Sequence, residues 1–418
     1  MQSPTKKLSY GRLAAILGAL AMFGPFSIDT IFPAFPQIGA DLGAGKLAMQ
    51  QTISVYLLAY AAMSVVHGPL SDAIGRKRVI LAGLAVFVLA SVGCALSTSM
   101  PMLLVFRALQ GLSAGVGMIV GRAVIRDVLQ GDDAQRMMSQ VSMIFGIAPA
   151  IAPIIGGWII GWSDWQSIFW FLAVFSGVLG LVAVRLLPET HPPEARVRMR
   201  PVALLRNYVG ILGNPRFVRL SIAGALNFGA LFLYIASAPA FVLDLMHLNE
   251  DQFGWFFIPM ISGMMLGAFA SGRSAGRIDG VRLANIGFIC CGAAALLNLG
   301  YNLFVEAPRL PWAVLPISLN AFGIALVFPI LTLAILDMYP HQRGGASSLQ
   351  AFTGLLSNAV IAGVLSSMVS GSGIMLAVTS STFSVLAWLV WRLEQRDQRR
   401  LRTASAAQVM GLEPTDKM

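Results

Sequence analysis

Residues 51–97 read QTISVYLLAYAAMSVVHGPLSDAIGRKRVILAGLAVFVLASVGCALS. Two apolar stretches of about twenty residues flank a short charged turn, Ser71 to Arg78. A helix rising about 1.5 Å per residue needs about twenty such residues to cross about 30 Å of hydrocarbon. The stretch is therefore a helical membrane hairpin. A membrane β-strand would instead alternate polar and apolar residues over about ten positions.

The same pattern runs along the whole chain. Of 418 residues, 56% are hydrophobic and 11% charged, against roughly 25% charged in soluble proteins. Those values exclude a water-soluble enzyme, a disordered chain and a disulfide-stapled secreted domain. Apolar runs bounded by charges, Gly or Pro predict twelve spans, at about 13–36, 51–70, 78–97, 101–122, 140–161, 167–187, 217–239, 253–272, 283–304, 311–335, 346–369 and 372–391. The expected fold is an all-α membrane protein. Lys6, Lys7 and Arg12 precede the first run, but that run is too long for a signal-peptide core of about 7–15 residues, so it reads as a retained span.

The spacing of charge gives the orientation. With the N-terminus inside the cell, 26 of the 29 Lys and Arg residues fall in inner loops and tails. Only Lys46 and Arg309 lie outside, and Arg107 falls within a span. This is the positive-inside bias, and it requires an even number of spans with both termini cytoplasmic. The net charge of +10 thus belongs to the membrane interface and forms no continuous face for nucleic acid. The polar stretch 188–216, with Pro192, Pro193 and Pro201, divides a six-helix half at 1–187 from a second at 217–391, followed by a cytoplasmic tail at 392–418. Pro33-Ala34-Phe35 returns as Pro239-Ala240-Phe241, and the Gly68 loop returns in degraded form at Gly272. These offsets of 206 and 204 residues indicate a parallel duplication, with cargo expected between the halves.

An ionisable group inside a span is costly and marks function by default. Two stand out, Asp29 in the first span and Arg107 in the fourth. Counting helical rise from the span ends puts Asp29 roughly 24 Å and Arg107 roughly 21 Å above the inner face. At one level, they can share a cavity. Desolvation favours the neutral form of a carboxylic acid and a nearby cation favours the ionised form. An acid whose water access or distance to a guanidinium varies is thus able to carry a proton. The alternatives are a static buried ion pair for Asp29 and a water-organising role for Arg107.

Other polar residues carry less. Arg122, Arg126 and Asp127 read as interfacial charges at the inner end of the fourth span. His67 and His247 have no partners at metal spacing, and Cys94, Cys290 and Cys291 read as packed thiols. Tyr56, Tyr60, Asn227, Tyr234, Gln350 and Asn358 are handles on apolar helices. Each alone reads as an interhelical hydrogen bond; together with Asp29 they form a candidate set for touching cargo.

Three motifs sharpen the reading. Gly68-Pro69-Leu70-Ser71-Asp72-Ala73-Ile74-Gly75-Arg76-Lys77-Arg78 combines a glycine suited to close helix contact, a turn glycine at Gly75, and an acid beside cations. It resembles the loop signature of the major facilitator superfamily, which implies a cytoplasmic gate latch made by Asp72 and Arg76. In the second copy Gly276 stands where the acid would be, so the resemblance implies a latch in the first loop only. Arg107-Ala108-Leu109-Gln110-Gly111-Leu112-Ser113-Ala114-Gly115 resembles that superfamily's fourth-helix pattern, where the Arg is linked to proton coupling. Gly146-Ile147-Ala148-Pro149-Ala150-Ile151-Ala152-Pro153, then Gly156-Gly157, is dense in small residues and Pro and resembles the antiporter motif, with Ala148-Pro149 in place of its usual Gly-Pro core.

Ser27 to Pro36, together with Arg126-Asp127, is similar to the bicyclomycin-resistance (Bcr/CflA) group of drug/proton antiporters. That resemblance implies a proton-driven exporter of small amphipathic antibiotics, phenicol- or bicyclomycin-like, in a bacterial inner membrane. It implies no cofactor beyond the proton gradient, and a monomer is the simplest state. Competing readings are an exporter of a natural metabolite such as an amino acid, peptide or siderophore, and a solute symporter. A nucleotide-driven pump is disfavoured, because no Gly-rich loop ending in Gly-Lys-Ser/Thr is present.

Overall fold

A computed structural model describes residues 10–409 apart from 275, 306 and 341. Lys6 and Lys7 of the basic flank and the last nine residues of the tail lie outside the described residues. Twelve helices are long and apolar enough to cross a membrane, and no strand occurs among the described residues. In chain order they are α1 (Tyr10–Asp41), α2 (Lys46–Ile74), α3 (Arg76–Ala95), α4 (Met100–Val128), α5 (Gly131–Trp162) and α6 (Gln166–Leu186), then α7 (Pro215–Ala236), α8 (Gly254–Ser274), α9 (Gly280–Phe304), α10 (Leu315–Met338), α11 (Arg343–Val369) and α12 (Gly373–Val409). Proline occupies the first turn of α4, α7 and α10, where its missing N–H costs nothing.

The two halves repeat one packing scheme. In the first half α1 packs on α5, α2 on α4, and α3 on α4 and α6; in the second α7 packs on α11, α8 on α10, and α9 on α10 and α12. Each contact is the counterpart of another six helices later, as a parallel duplication requires. Across the halves α2 meets α11 and α5 meets α8. The stretch between halves is not a bare linker, because Pro201–Leu212 forms a short helix of its own.

Several helices are interrupted. α1 breaks after Asp29 into a 3₁₀ turn at Phe32–Ala34, and α4 opens into a π turn at Val116–Val120. Such bulges concentrate at functional positions. The twelfth helix runs well past residue 391, where the apolar run ends, to Val409. Two half-buried arginines on α7 pair with the buried Glu394 at the start of the extension, as described below.

Candidate functional site

Arg107 is wholly buried and gripped from four sides. Its Nε donates to the Thr52 carbonyl at 3.2 Å, and Nη1 donates to the Ser27 carbonyl at 3.2 Å and to Gln110 Oε1 at 2.8 Å. The guanidinium carbon stands 4.5 Å from the Tyr56 ring centroid, within cation–π range. Gln110 is steadied by donating to Ser91 Oγ at 2.8 Å. Tyr56 is fixed too, accepting from Ser27 Oγ at 2.8 Å and donating to the Gly24 carbonyl at 2.9 Å. The cation therefore belongs to a rigid node joining α1, α2, α3 and α4. One nitrogen, Nη2, is buried with no partner.

Asp29 sits two residues beyond Ser27 and is 4% exposed. No hydrogen bond or ion pair to its carboxylate occurs among the described residues, and none joins it to Arg107. Arg107 reaches the Ser27 carbonyl, two residues before Asp29, but the two charges expected to share a cavity are not bonded. Just beyond Asp29, α1 is clasped by α5: a Cβ on Gly156 would strike the Thr30 carbonyl. Phe32 stacks on Phe257 of α8 with centroids 6.2 Å apart.

These contacts belong to a seal on the face opposite the basic loops. Gln50 Nε2 donates to the Ala236 carbonyl at 3.1 Å, Gln51 Nε2 to Gly363 at 2.9 Å and Ser54 Oγ to Ala359 at 2.9 Å. Lys46 pairs with Asp244 at 2.7 Å. A Cβ on Gly157 would strike the Glu250 carbonyl, so only glycine lets α5 approach that loop. Among the described residues, every side-chain hydrogen bond between the two halves lies on this side. Asp29 thus sits under a closed lid, while toward the basic face no side-chain hydrogen bond among the described residues joins the halves directly and the linker helix spans them through Tyr208.

The charged turn on the basic face is bonded within its own half and to the linker. Arg76 Nη1 reaches Asp72 Oδ1 at 2.5 Å and Ser71 Oγ at 2.6 Å, and Nε reaches Asp127 Oδ2 at 3.0 Å. The Arg76 amide donates to Glu189 Oε1 at 2.9 Å, and Thr190 donates to Asp127 Oδ2 at 2.9 Å. Gly75 has φ +108°, a backbone conformation that favours glycine. Asp127, read from the sequence as an interfacial charge, is instead a partner of Arg76. Gly68 and Gly146 have no atom within 4 Å of a would-be Cβ. The close helix contact anticipated for Gly68 is therefore absent in this arrangement.

The remaining candidates divide. Tyr234 accepts from Asn298 Nδ2 at 2.8 Å and, with Asn320 and Ser380, lines a small void inside the second half. Gln350 donates to Thr332 Oγ1 at 3.0 Å. Asn227 and Asn358 are buried with unpartnered Oδ1 atoms, and Tyr60 packs edge-on to Tyr56 at 6.5 Å. Pro149 and Pro153 lie inside the continuous helix α5.

One buried acid was not singled out from the sequence. Glu394 of α12 is 2% exposed, forms an ion pair with Arg216 of α7 at 2.9 Å and accepts a hydrogen bond from Arg219 Nε at 2.9 Å. Its place in a run of charges at the chain's end concealed it.

The Major Facilitator Superfamily pattern matches residues 15–362. The chain belongs to that superfamily. It is 28% identical over 386 residues to multidrug resistance protein D of Escherichia coli K12, covering 90% of this chain and 95% of that one. It is 26% identical over 362 residues to the bicyclomycin resistance protein homolog of Haemophilus influenzae, covering 84% and 88%. Among solved structures, the human organic anion transporter MFSD10 (TETRAN) matches with a TM-score of 0.71 at 19% identity, covering 93% of this chain and all of that one. That likeness concerns the fold. As a major facilitator the chain is a multi-pass membrane transporter.

Proposed function

We propose that this chain is a proton-driven antiporter that exports small amphipathic drugs, phenicol- or bicyclomycin-like, across a bacterial inner membrane by alternating access. The drug-resistance relatives support the cargo class. The observation that carries the coupling is the buried, unbonded carboxyl of Asp29 under the closed lid, two residues beyond the Ser27 carbonyl that the fixed guanidinium of Arg107 holds. A buried charge without a partner is expensive, so in the sealed arrangement Asp29 carries a proton. When the lid parts, water reaches the carboxyl and the Nη2 of Arg107 is available to stabilise the anion. The proton then leaves or enters according to which face is open, and cargo and proton compete at or near one cavity. Both termini are cytoplasmic on this reading, and a monomer suffices because two halves complete one cavity.

The test is drug-driven proton movement in everted vesicles carrying Asp29→Asn, beside the wild type. Loss of drug-driven proton release with the protein still in the membrane supports the assignment. Unchanged release rejects it.

A further inference from the structure

The helix between the halves, Pro201–Leu212, has three faces with three different surroundings. At about 100° per residue, Leu204, Tyr208 and Ile211 share one face, and it is packed. Tyr208 donates to the Val65 carbonyl of α2 at 2.8 Å, and Tyr208 and Ile211 both lie against Gly345 of α11. Val202, Leu205, Val209 and Leu212 form the adjoining stripe, 46–74% exposed. The third face carries Ala203, Asn207 and Gly210, with Arg206 at its border with the stripe.

The level of this helix is set by its bond to α2. Val65 lies seven residues, about 10 Å of helix, before Asp72, so Tyr208 ties this helix to the end of α2 that carries the charged turn. The exposed stripe therefore lies where hydrocarbon gives way to headgroups. The charge beside it has one sign. Arg196, Arg198, Arg200, Arg206 and Arg216 occur between residues 195 and 217 with no Asp or Glu among them. Arg198, Arg200 and Arg206 are exposed and make no ion pair or hydrogen bond among the described residues. A soluble face would not place four large apolar side chains in water beside unpaired guanidiniums; an interfacial helix does so.

We propose that this helix is a binding element for anionic phospholipid: its apolar stripe enters the acyl boundary of the leaflet on the basic face, and Arg198, Arg200 and Arg206 hold lipid phosphates. Each basic residue near an anionic surface adds attraction that neutral lipid does not supply. Through Tyr208 the lipid contact is seated on the seam between α2 and α11, where the two halves meet.

The test uses the full-length protein with Cys94, Cys290 and Cys291 replaced by serine, reconstituted in vesicles of phosphatidylcholine with or without phosphatidylglycerol. Single nitroxide labels are placed at Leu205 and Val209 on the stripe and at Ala203 and Asn207 on the polar face. The expected result is a several-fold higher ratio of oxygen to nickel-chelate collisions at the stripe than at the polar face. Phosphatidylglycerol should raise that ratio further, and the triple substitution Arg198→Gln, Arg200→Gln, Arg206→Gln should remove that increment. Equal ratios on the two faces would overturn the proposal. So would a stripe shielded from both reagents in detergent as well as in vesicles, since protein would then cover it. An identical ratio with and without phosphatidylglycerol would overturn the anionic part.

Discussion

Arg107 donates a hydrogen bond to the carbonyl oxygen of Ser27 at 3.2 Å, so the buried cation grips the backbone of α1 just below the acid while leaving the acid itself unbonded. The separation assigns different duties to the two charges. On the function proposed above, the cation is held chiefly by scaffold bonds, and the carboxyl is the group that changes its protonation.

Replacing the cation should therefore damage the fold. Arg107→Gln loses bonds to two carbonyls and the cation–π contact, and a hydrogen bond to a charged group is worth about 1.5–3 kcal/mol. Thermal unfolding of the purified protein should show a clear drop in midpoint. Arg107→Lys should recover only part of it, because a point charge cannot reproduce the planar fork.

Asp29→Asn should do the opposite. It replaces a buried carboxyl that bonds nothing among the described residues with a near-isosteric amide, so the midpoint should hold while transport is lost. A fall as large as that of Arg107→Gln would show that Asp29 is structural.

In the charged turn, Asp127 is more sheltered than Asp72, with side-chain exposures of 19% and 47%. An exposed pair contributes about 0–1 kcal/mol. Asp127→Asn should thus cost more thermal stability than Asp72→Asn, while Asp72→Asn slows cycling with equilibrium drug binding preserved. Parallel loss of binding and transport in Asp72→Asn would remove the latch from the mechanism.

Gly157→Val should pry the lid open. A side chain there collides with the backbone at Glu250, and α5 must withdraw. A cysteine introduced at Ser54 should then react several-fold faster with a membrane-impermeant maleimide added from the sealed side.

Acid on the sealed side should favour closure. Burial, and secondarily Asp251, raise the Glu250 carboxyl above the usual carboxylate range. The closed arrangement therefore binds a proton more tightly than one with Glu250 hydrated. It gains as pH falls through the window just above about 4.3 and loses that gain as pH rises. Glu250 is only partly buried, so the effect on labelling at the introduced cysteine should be no more than a few-fold, and Glu250→Gln should flatten it.

Much of this was legible in residue order. Apolar length alone located twelve spans, and the rarity of charge inside them singled out Asp29 and Arg107. Gly75 declared its turn, and Asp72 found Arg76 one helical turn away. What stayed hidden depends on distant parts of the chain. Asp127 meets Arg76 across 51 residues, and Glu394 meets Arg219 across 175; no local pattern encodes either meeting. The charges at 392–400 suggested a solvated tail, yet α12 continues because two arginines of α7 receive Glu394. Tyr56 offered a hydroxyl to cargo on paper, but that hydroxyl is committed to Gly24 and Ser27. Gly68 fits the motif, and its neighbours are missing in this arrangement.

Three of the four polar ties across the lid end on main-chain oxygens, at Ala236, Ala359 and Gly363. Every amino acid presents that same oxygen. Positions 236 and 359 can therefore drift, within limits of size, without erasing the handholds on which α2 closes, whereas a Cβ at Gly363 would strike Ser54. A transporter built this way can diversify what it recognises along α7 and α11 and still shut, because the clasp reads the thread of the polypeptide and ignores its ornaments.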